Sequence, residues 1–326
     1  MARNIAASGY DSPMNTIFAP DNISDKIVAA YHSCALTPQI AKSDFLSADE
    51  LFCGASVTYG IETPLDMYGM NTDNNEDPET FSGPGVDTAT LTICQSQKFQ
   101  FKISNQDKRM MCDNFAKWEE LTRSRIDKGI TKYIDAYSIP KILASAAAYN
   151  VGNDAGKLTG TINLGTQDEN ALDVRSPEAF ADMVLSMRQA AQEVGMFCPA
   201  GEVAYEGVGG NPVLVIPALM ERYALKLMRD LNTCCSDQNT LRTGVIGSVF
   251  GFNVISSNNL PPVDFGGAVG KLANAMLVDP SRILHAFEII NNKWWEGKFE
   301  DYLVGEFIFD TAVLHPDAVI VATTKV

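Results

Sequence analysis

The clearest alternation of apolar and polar positions lies between Val86 and Ser104. Ala89, Leu91, Ile93, Phe99, Phe101 and Ile103 alternate with Thr88, Thr90, Thr92, Lys98, Gln100 and Lys102. A period of two predicts a strand with one buried face. A shorter strand-like run covers Ser56 to Ile61. Between the runs stand Pro64, Pro78, Pro84, Gly83, Gly85 and an Asn/Asp cluster at 71–77, all loop formers. The simplest construction is a long β-hairpin within residues 44–104. Its tip has little apolar content and cannot form a core of its own, so the hairpin is expected to rest on something else.

The period then changes. Met111, Phe115, Trp118, Ile126, Ile130, Ile134 and Tyr137 fall on one stripe at helical spacing, interrupted by Thr122. Gly129 weakens this helix by about 1 kcal/mol relative to Ala. The pattern continues to the stop signal at Pro140, predicting a helix from about Gln106 to Tyr137, roughly 45 Å long at ~1.5 Å per residue. Such a rod is a spine rather than an ordinary globular helix.

The remainder reads as an α/β layer. Residues 1–20 are small, polar and interrupted by Gly and Pro, as in an extended arm, and Ser24 to Leu36 fits a short amphipathic helix. Ser176-Pro177-Glu178 is a helix start, with Ser at the N-cap and Pro at the first turn. Phe180, Val184, Met187, Ala191 and Val194 form its inward stripe and Gly195 its end. Val213 to Ile216 is a short buried strand. A second helix follows, with Leu219, Tyr223, Leu227 and Leu231 inward. Gly244 to Ser256 reads as one strand, His285 falls on an apolar helical stripe, and Val304 to Val326 reads as two β segments around His315-Pro316-Asp317.

Charge sharpens this picture. The 326 residues carry 25 Lys and Arg against 40 Asp and Glu, a net charge of −15. Residues 44–97 contain ten acidic side chains and no Lys or Arg, so the hairpin holds most of the excess. Gripping nucleic acid is a poor fit for so acidic a chain, because phosphate binding draws on cationic contacts. No run reaches the ~20 apolar residues of a membrane span, and Met1 to Ser12 lacks a signal-peptide core. Seven scattered cysteines without a CxxC pair read as free thiols.

Catalytic and cofactor motifs are weak. Gly266 to Leu272 misses the P-loop by one residue of glycine spacing and by Leu272, which stands where a Ser or Thr would bind magnesium. Gly207 to Gly210 and the glycines from 244 to 251 do not form the dinucleotide fingerprint. There is no G-x-S-x-G elbow or HExxH. His285 reads as a satisfied structural histidine, His315 as a turn residue, and Trp294-Trp295 as core. Asp73, Asn75 and Asp77 lack the glycine and final Glu of an EF-hand loop. No catalytic, cofactor-binding or metal-ligating residues are assigned.

The order of parts is more telling. Residues 88–113 (TATLTICQSQKFQFKISNQDKRMMCD) resemble the returning strand of the extended loop, running into the spine helix, of tailed-bacteriophage coat proteins. VLVIP at 213–217, GVIGSVFGFNVISSNNLP at 244–261 and GEFIFDTAVLHPDAVIVAT at 305–323 resemble the apical and closing strands of the same proteins. The chain thus resembles the major capsid proteins of the Hong Kong 97-like family.

This resemblance implies an α+β fold. Residues 1–43 would form the N-terminal arm and 44–104 the extended loop. Residues 105–149 and 291–326 would form a peripheral domain around the spine helix, and 150–290 an α/β apical domain. It implies a structural, non-enzymatic protein of the virion. Hexamers and pentamers of it would build an icosahedral head that encloses double-stranded DNA without sequence-specific binding. Expected partners are copies of itself, a separate scaffolding protein, a portal protein and a decoration protein, with no cofactor and no membrane. The acidic residues Glu62, Asp66, Asp73, Glu76, Asp77, Glu79 and Asp87 are expected to face Lys117, Arg123, Arg125 and Lys128 of a neighbouring copy. Lys42 and Lys98 bracket a stretch without Lys, so covalent crosslinking from the loop tip is not expected. The alternatives are an encapsulin-type shell around protein cargo, or an α/β enzyme.

Overall fold

A 30-residue helix, Phe115–Ala144, lies against two separate β-sheets and joins them. The structure, a computed structural model, describes residues 31, 35–43, 54–62, 86–104, 115–166, 170–196, 212–231, 245–260, 262–263, 272–296 and 300–325. Helices are numbered α1 (Thr37–Ile40), α2 (Phe115–Ala144), α3 (Pro177–Glu193) and α4 (Ala218–Leu231). Strands are β1 (Ser56–Glu62), β2 (Val86–Thr92), β3 (Gln95–Ser104), β4 (Leu172–Asp173), β5 (Val213–Pro217), β6 (Val245–Val249), β7 (Phe252–Ser257), β8 (Pro262–Val263), β9 (Leu272–Val278), β10 (Ile283–Glu296), β11 (Glu300–Val313) and β12 (Val319–Lys325).

Helix α2 passes Pro140 without stopping and ends four residues later. Proline inside a helix costs about 3 kcal/mol through a lost hydrogen bond and a ring clash. Ile139 and Ile142 flank it and are fully buried against the larger sheet, each contributing roughly 1.5–3 kcal/mol. Tertiary burial therefore outweighs the local stop signal. The expected start near Gln106 lies outside the described residues, as do most of the helix expected at Ser24 to Leu36 and the loop at 63–85.

The smaller sheet has the order β10-β11-β3, all antiparallel. Ile130 and Ile134 of α2 are buried on one of its faces with Leu303, Phe307 and Phe309. The larger sheet runs β4-β12-β9-β5-β7-β6, with β8 also paired to β9. Helices α3 and α4 cover one face through Phe180, Val184, Met187, Met220 and Ala224. The end of α2 and the arm residues Leu36 and Ile40 cover the other. Strand β12 belongs to this larger sheet, whereas β11 belongs to the smaller one, so the closing segment is shared between the two.

Helix α3 forms as expected. The Ala179 N–H donates to Ser176 Oγ (3.1 Å) at its N-cap, and Gly195 follows it with φ 72°. Three other expectations are corrected. The segment expected as one strand at 244–256 is, from residue 245, a hairpin of β6 and β7, turned by Phe250 and Gly251, both with positive φ (51° and 88°), the signature of a tight primed turn. In α4 the buried stripe is Met220, Ala224 and Leu227, while Leu219 at its start is 52% exposed. His285 sits in strand β10, not in a helix, because Leu284 and His285 point to opposite faces of a two-sided sheet and both faces are covered.

Candidate assembly surfaces

Part of the segment expected as an extended hairpin is a two-stranded antiparallel ribbon. Strands β1 and β2 pair antiparallel from Ser56 opposite Thr92 to Glu62 opposite Val86. Strand β3, expected as part of the projection, is instead hydrogen-bonded along β11. The ribbon exits from the smaller sheet at Ile93 and Cys94. There Ala55, Leu91 and Ile93 are buried against Leu284, Ala286 and Ile308, on the face of the smaller sheet opposite α2. Asp310 holds this exit. Its carboxylate accepts from the Cys94 N–H (3.2 Å), the Thr311 N–H (2.7 Å) and Lys141 Nζ (2.6 Å), the last reaching over from the final turn of α2. Farther out, Ser56, Thr58 and Thr90 are exposed, and no third strand joins the ribbon among the described residues.

A second surface lies along α2. Arg125, Lys128 and Lys132 are exposed and make no ion pair with another described residue. Beside them a groove of about 220 Å³ opens between α2 and strand β3, lined by Phe99, Ile126, Gly129, Ile130, Tyr133 and Phe307, with Gln97 and Lys98 at the rim. Tyr133 packs edge-on against Phe307 and Phe309 yet remains 44% exposed.

Two buried polar clusters hold Tyr31, Leu36 and Thr37 against α2 and strand β10. Asp135 of α2 accepts from the Leu36 and Thr37 N–H groups (3.1 Å each), Thr37 Oγ1 (2.6 Å) and Asn259 Nδ2 (2.7 Å). Next to it, Tyr31 Oη meets His285 Nε2 at 2.7 Å, His285 Nδ1 meets Thr311 Oγ1 at 2.9 Å, and Thr311 Oγ1 donates to Ser138 Oγ at 2.8 Å. Burial, and then the negative charge of Asp135, push the Tyr31 phenol well above its ordinary value, so it stays neutral. His285 is thus the satisfied structural histidine its surroundings suggested. His315 caps the short 3₁₀ turn Pro316–Ala318 by accepting from the Asp317 N–H, as a turn residue would.

The sequence-predicted contact residues divide by place. Glu62 ends β1 opposite Val86, and Asp87 in β2 faces Ile61 across the ladder. Asp66, Asp73, Glu76, Asp77 and Glu79 lie outside the described residues, together with the Asn/Asp cluster, the near-P-loop glycines at 266–270 and the glycines at 207–210. Lys117 and Arg123 are on α2, but their side chains, like those of Trp294 and Trp295, fall outside the described set. Arg125 and Lys128 lie on the exposed face. Asp135, Asn259 and Asp310 were not singled out from sequence, and only Asp135, a carboxylate between Ile134 and Tyr137 on an apolar stripe, carried a visible signal. Among the described residues no group of three or more His, Cys, Asp or Glu could hold a metal ion, and no helix is long and apolar enough to cross a membrane.

Solved structures with a similar arrangement include phage capsids. The fold is similar to a structure from Mycobacterium phage Che8, with TM-score 0.54 and 13% identity, covering 88% of this chain and 90% of that one. The capsid of Ralstonia phage GP4 gives TM-score 0.54 and 14% identity over 87% and 86% of the two chains. The capsid of cyanophage P-SCSP1u gives TM-score 0.52 and 13% identity over 82% and 83%. No curated protein matches the sequence at a significant level. The family model described as phage capsid protein matches residues 95–320, from the strand that opens the smaller sheet to the strand that closes the larger one. The chain therefore belongs to the phage capsid protein family: it is a structural protein of the virion shell, built on the Hong Kong 97-like fold.

Proposed function

We propose that the chain assembles through hexamers and pentamers into an icosahedral head around double-stranded DNA, and that each copy lays its acidic hairpin on a neighbour's α2. In this reading residues 150–290 form the apical domain near the capsomer axis. Residues 105–149 and 291–326 form the peripheral domain, and 1–43 the arm. A scaffolding protein directs assembly, a portal protein occupies one vertex, and a decoration protein binds outside. The role is structural rather than catalytic. A net charge of −15 suits a container that holds its genome without gripping it, because few cationic contacts are available to the phosphates.

One observation carries the docking. The β1–β2 ribbon is held at its base by Asp310 and by Leu91 and Ile93, and among the described residues no third strand pairs with it. An isolated two-stranded ribbon is marginally stable in water, so it gains stability by lying on a surface. The acidic set Glu62, Asp66, Asp73, Glu76, Asp77, Glu79 and Asp87 complements Lys117, Arg123, Arg125 and Lys128. Each exposed pair contributes under about 1 kcal/mol, so charge sets register, and buried apolar area, at ~25 cal/mol per Å², supplies strength. The test is negative-stain microscopy of Arg123→Glu/Arg125→Glu, expressed with its assembly partners. The double variant should remain folded by circular dichroism and lose closed shells; normal shells would refute the docking.

A further inference from the structure

We infer that the groove beside Gly129 is a socket for one large apolar side chain from residues 63–85 of a second copy. The inference rests on the docking reading above and adds to it the point where apolar burial is concentrated. At about 220 Å³, the space is smaller than the roughly 300–1,000 Å³ of small-molecule sites and far larger than a water molecule. Its walls are Phe99, Ile126, Ile130 and Phe307, and its open side exists because residue 129 has no side chain. A Cβ built there meets nothing within 4 Å. Glycine here is not required by backbone geometry, since it lies inside α2 and its φ is not positive. It costs the helix about 1 kcal/mol and leaves a vacant apolar recess.

The rim selects the occupant. Arg125 and Lys132 lie one turn to either side of Gly129 on the same helical stripe, Lys128 adjoins it, and Lys98, paired with Glu306 at 3.9 Å, stands across the groove. An apolar recess flanked by Arg125, Lys128 and Lys132 fits an apolar side chain carried on an acidic segment. Residues 63–85 hold Leu65, Met67, Tyr68, Met70 and Phe81 among Asp66, Asp73, Glu76, Asp77 and Glu79, with no Lys or Arg. The family assembles from copies of one chain, so each groove has neighbouring copies that carry this segment.

Two measurements on assembled shells test this. A photoreactive benzoylphenylalanine replaces Tyr133, and a second preparation carries it at Arg125. Shells are grown from a mixture of isotopically light and heavy chains, so mass spectrometry separates crosslinks between copies from those within one. The expected result is a crosslink from position 133 to residues 63–85 of another copy. Crosslinks from 125 into that segment, with none from 133, would overturn the socket and leave the docking standing; none from either position would overturn both. Gly129→Leu fills the recess from within. Its melting temperature should not fall, while shell yield should drop about tenfold or more, as when the burial of one large side chain is lost. Wild-type shell yield from Gly129→Leu would overturn the socket.

Discussion

Asp135 on the spine helix accepts a 2.7 Å hydrogen bond from Asn259, in the turn that follows strand β7 of the larger sheet. The same carboxylate holds Leu36 and Thr37 of the arm. One fully buried side chain thus ties arm, spine and larger sheet at a single point. Hydrogen bonds to a charged group contribute about 1.5–3 kcal/mol each, and a buried donor left without a partner costs about 1–3 kcal/mol. Asp135→Ala should therefore destabilise the folded chain by about 3 kcal/mol or more in urea unfolding. Asn259→Ala removes one donor of four and should cost less than half as much.

Asp310 ties the base of the hairpin to strand β11 and to α2. Removing its carboxylate in Asp310→Ala leaves the Cys94 N–H and Lys141 without their acceptor. Hydrogen exchange at Ile93 and Cys94 should accelerate at least tenfold, and shells should form more slowly. Exchange along β10 should change little.

Gly305 of β11 lies under the ring of Phe99, its cross-strand neighbour on β3. A Cβ at residue 305 would clash with the Cζ edge of that ring. Gly305→Ala should cost about 1–3 kcal/mol through overpacking, read as a lower denaturation midpoint. The Gly305→Ala/Phe99→Ala double variant should lose less than the two single losses combined, because the clash disappears with the ring.

Asp317 sets an acid limit on stability. Burial opposes its charge, but hydrogen bonds from Tyr149 and Lys157 and the charges of His315 and Lys157 hold its carboxyl below the usual carboxylate range. Burial and the Asp317 contact push the Tyr149 phenol up to about 12. A depressed carboxyl stabilises the fold fully above the unfolded-chain value of about 3.9, and that stability is lost as the pH falls through the lower folded value. Melting temperatures taken from pH 6 down to pH 2.5 should fall more steeply for the wild type than for Asp317→Asn, with the two converging at the acid end.

Gly129→Ala isolates helix propensity from groove filling. Open space surrounds the new methyl, so the folded chain should gain up to about 1 kcal/mol in chemical denaturation. A loss of stability would mean that the groove is more crowded than its walls indicate.

Much of the architecture could be read without coordinates. The period-two run through Leu91 and Phe101, the helical stripe through Ile130 and Ile134, and the Ser176-Pro177 start are local signals. Each appears where expected because burial on one face leaves its period in the chain. The misreadings share a cause as well. Pro140, Leu219 and His285 obey neighbours distant in sequence: Ile139 and Ile142 bury on the larger sheet, Met220 takes the inward position in α4, and β10 is covered on both faces.

The candidate surfaces divide in the same way. The concentration of acid in residues 44–97, the basic face of α2 and the order of segments follow from residue identity and spacing, which act over a few positions. Folding alone determined that Leu91 and Ile93 bury the base of the ribbon on the smaller sheet, that Asp310 holds its exit, and that Gly129 opens a recess over Phe99 and Phe307. Those features join residues up to about two hundred positions apart, and no local period records which distant side chains close the same space.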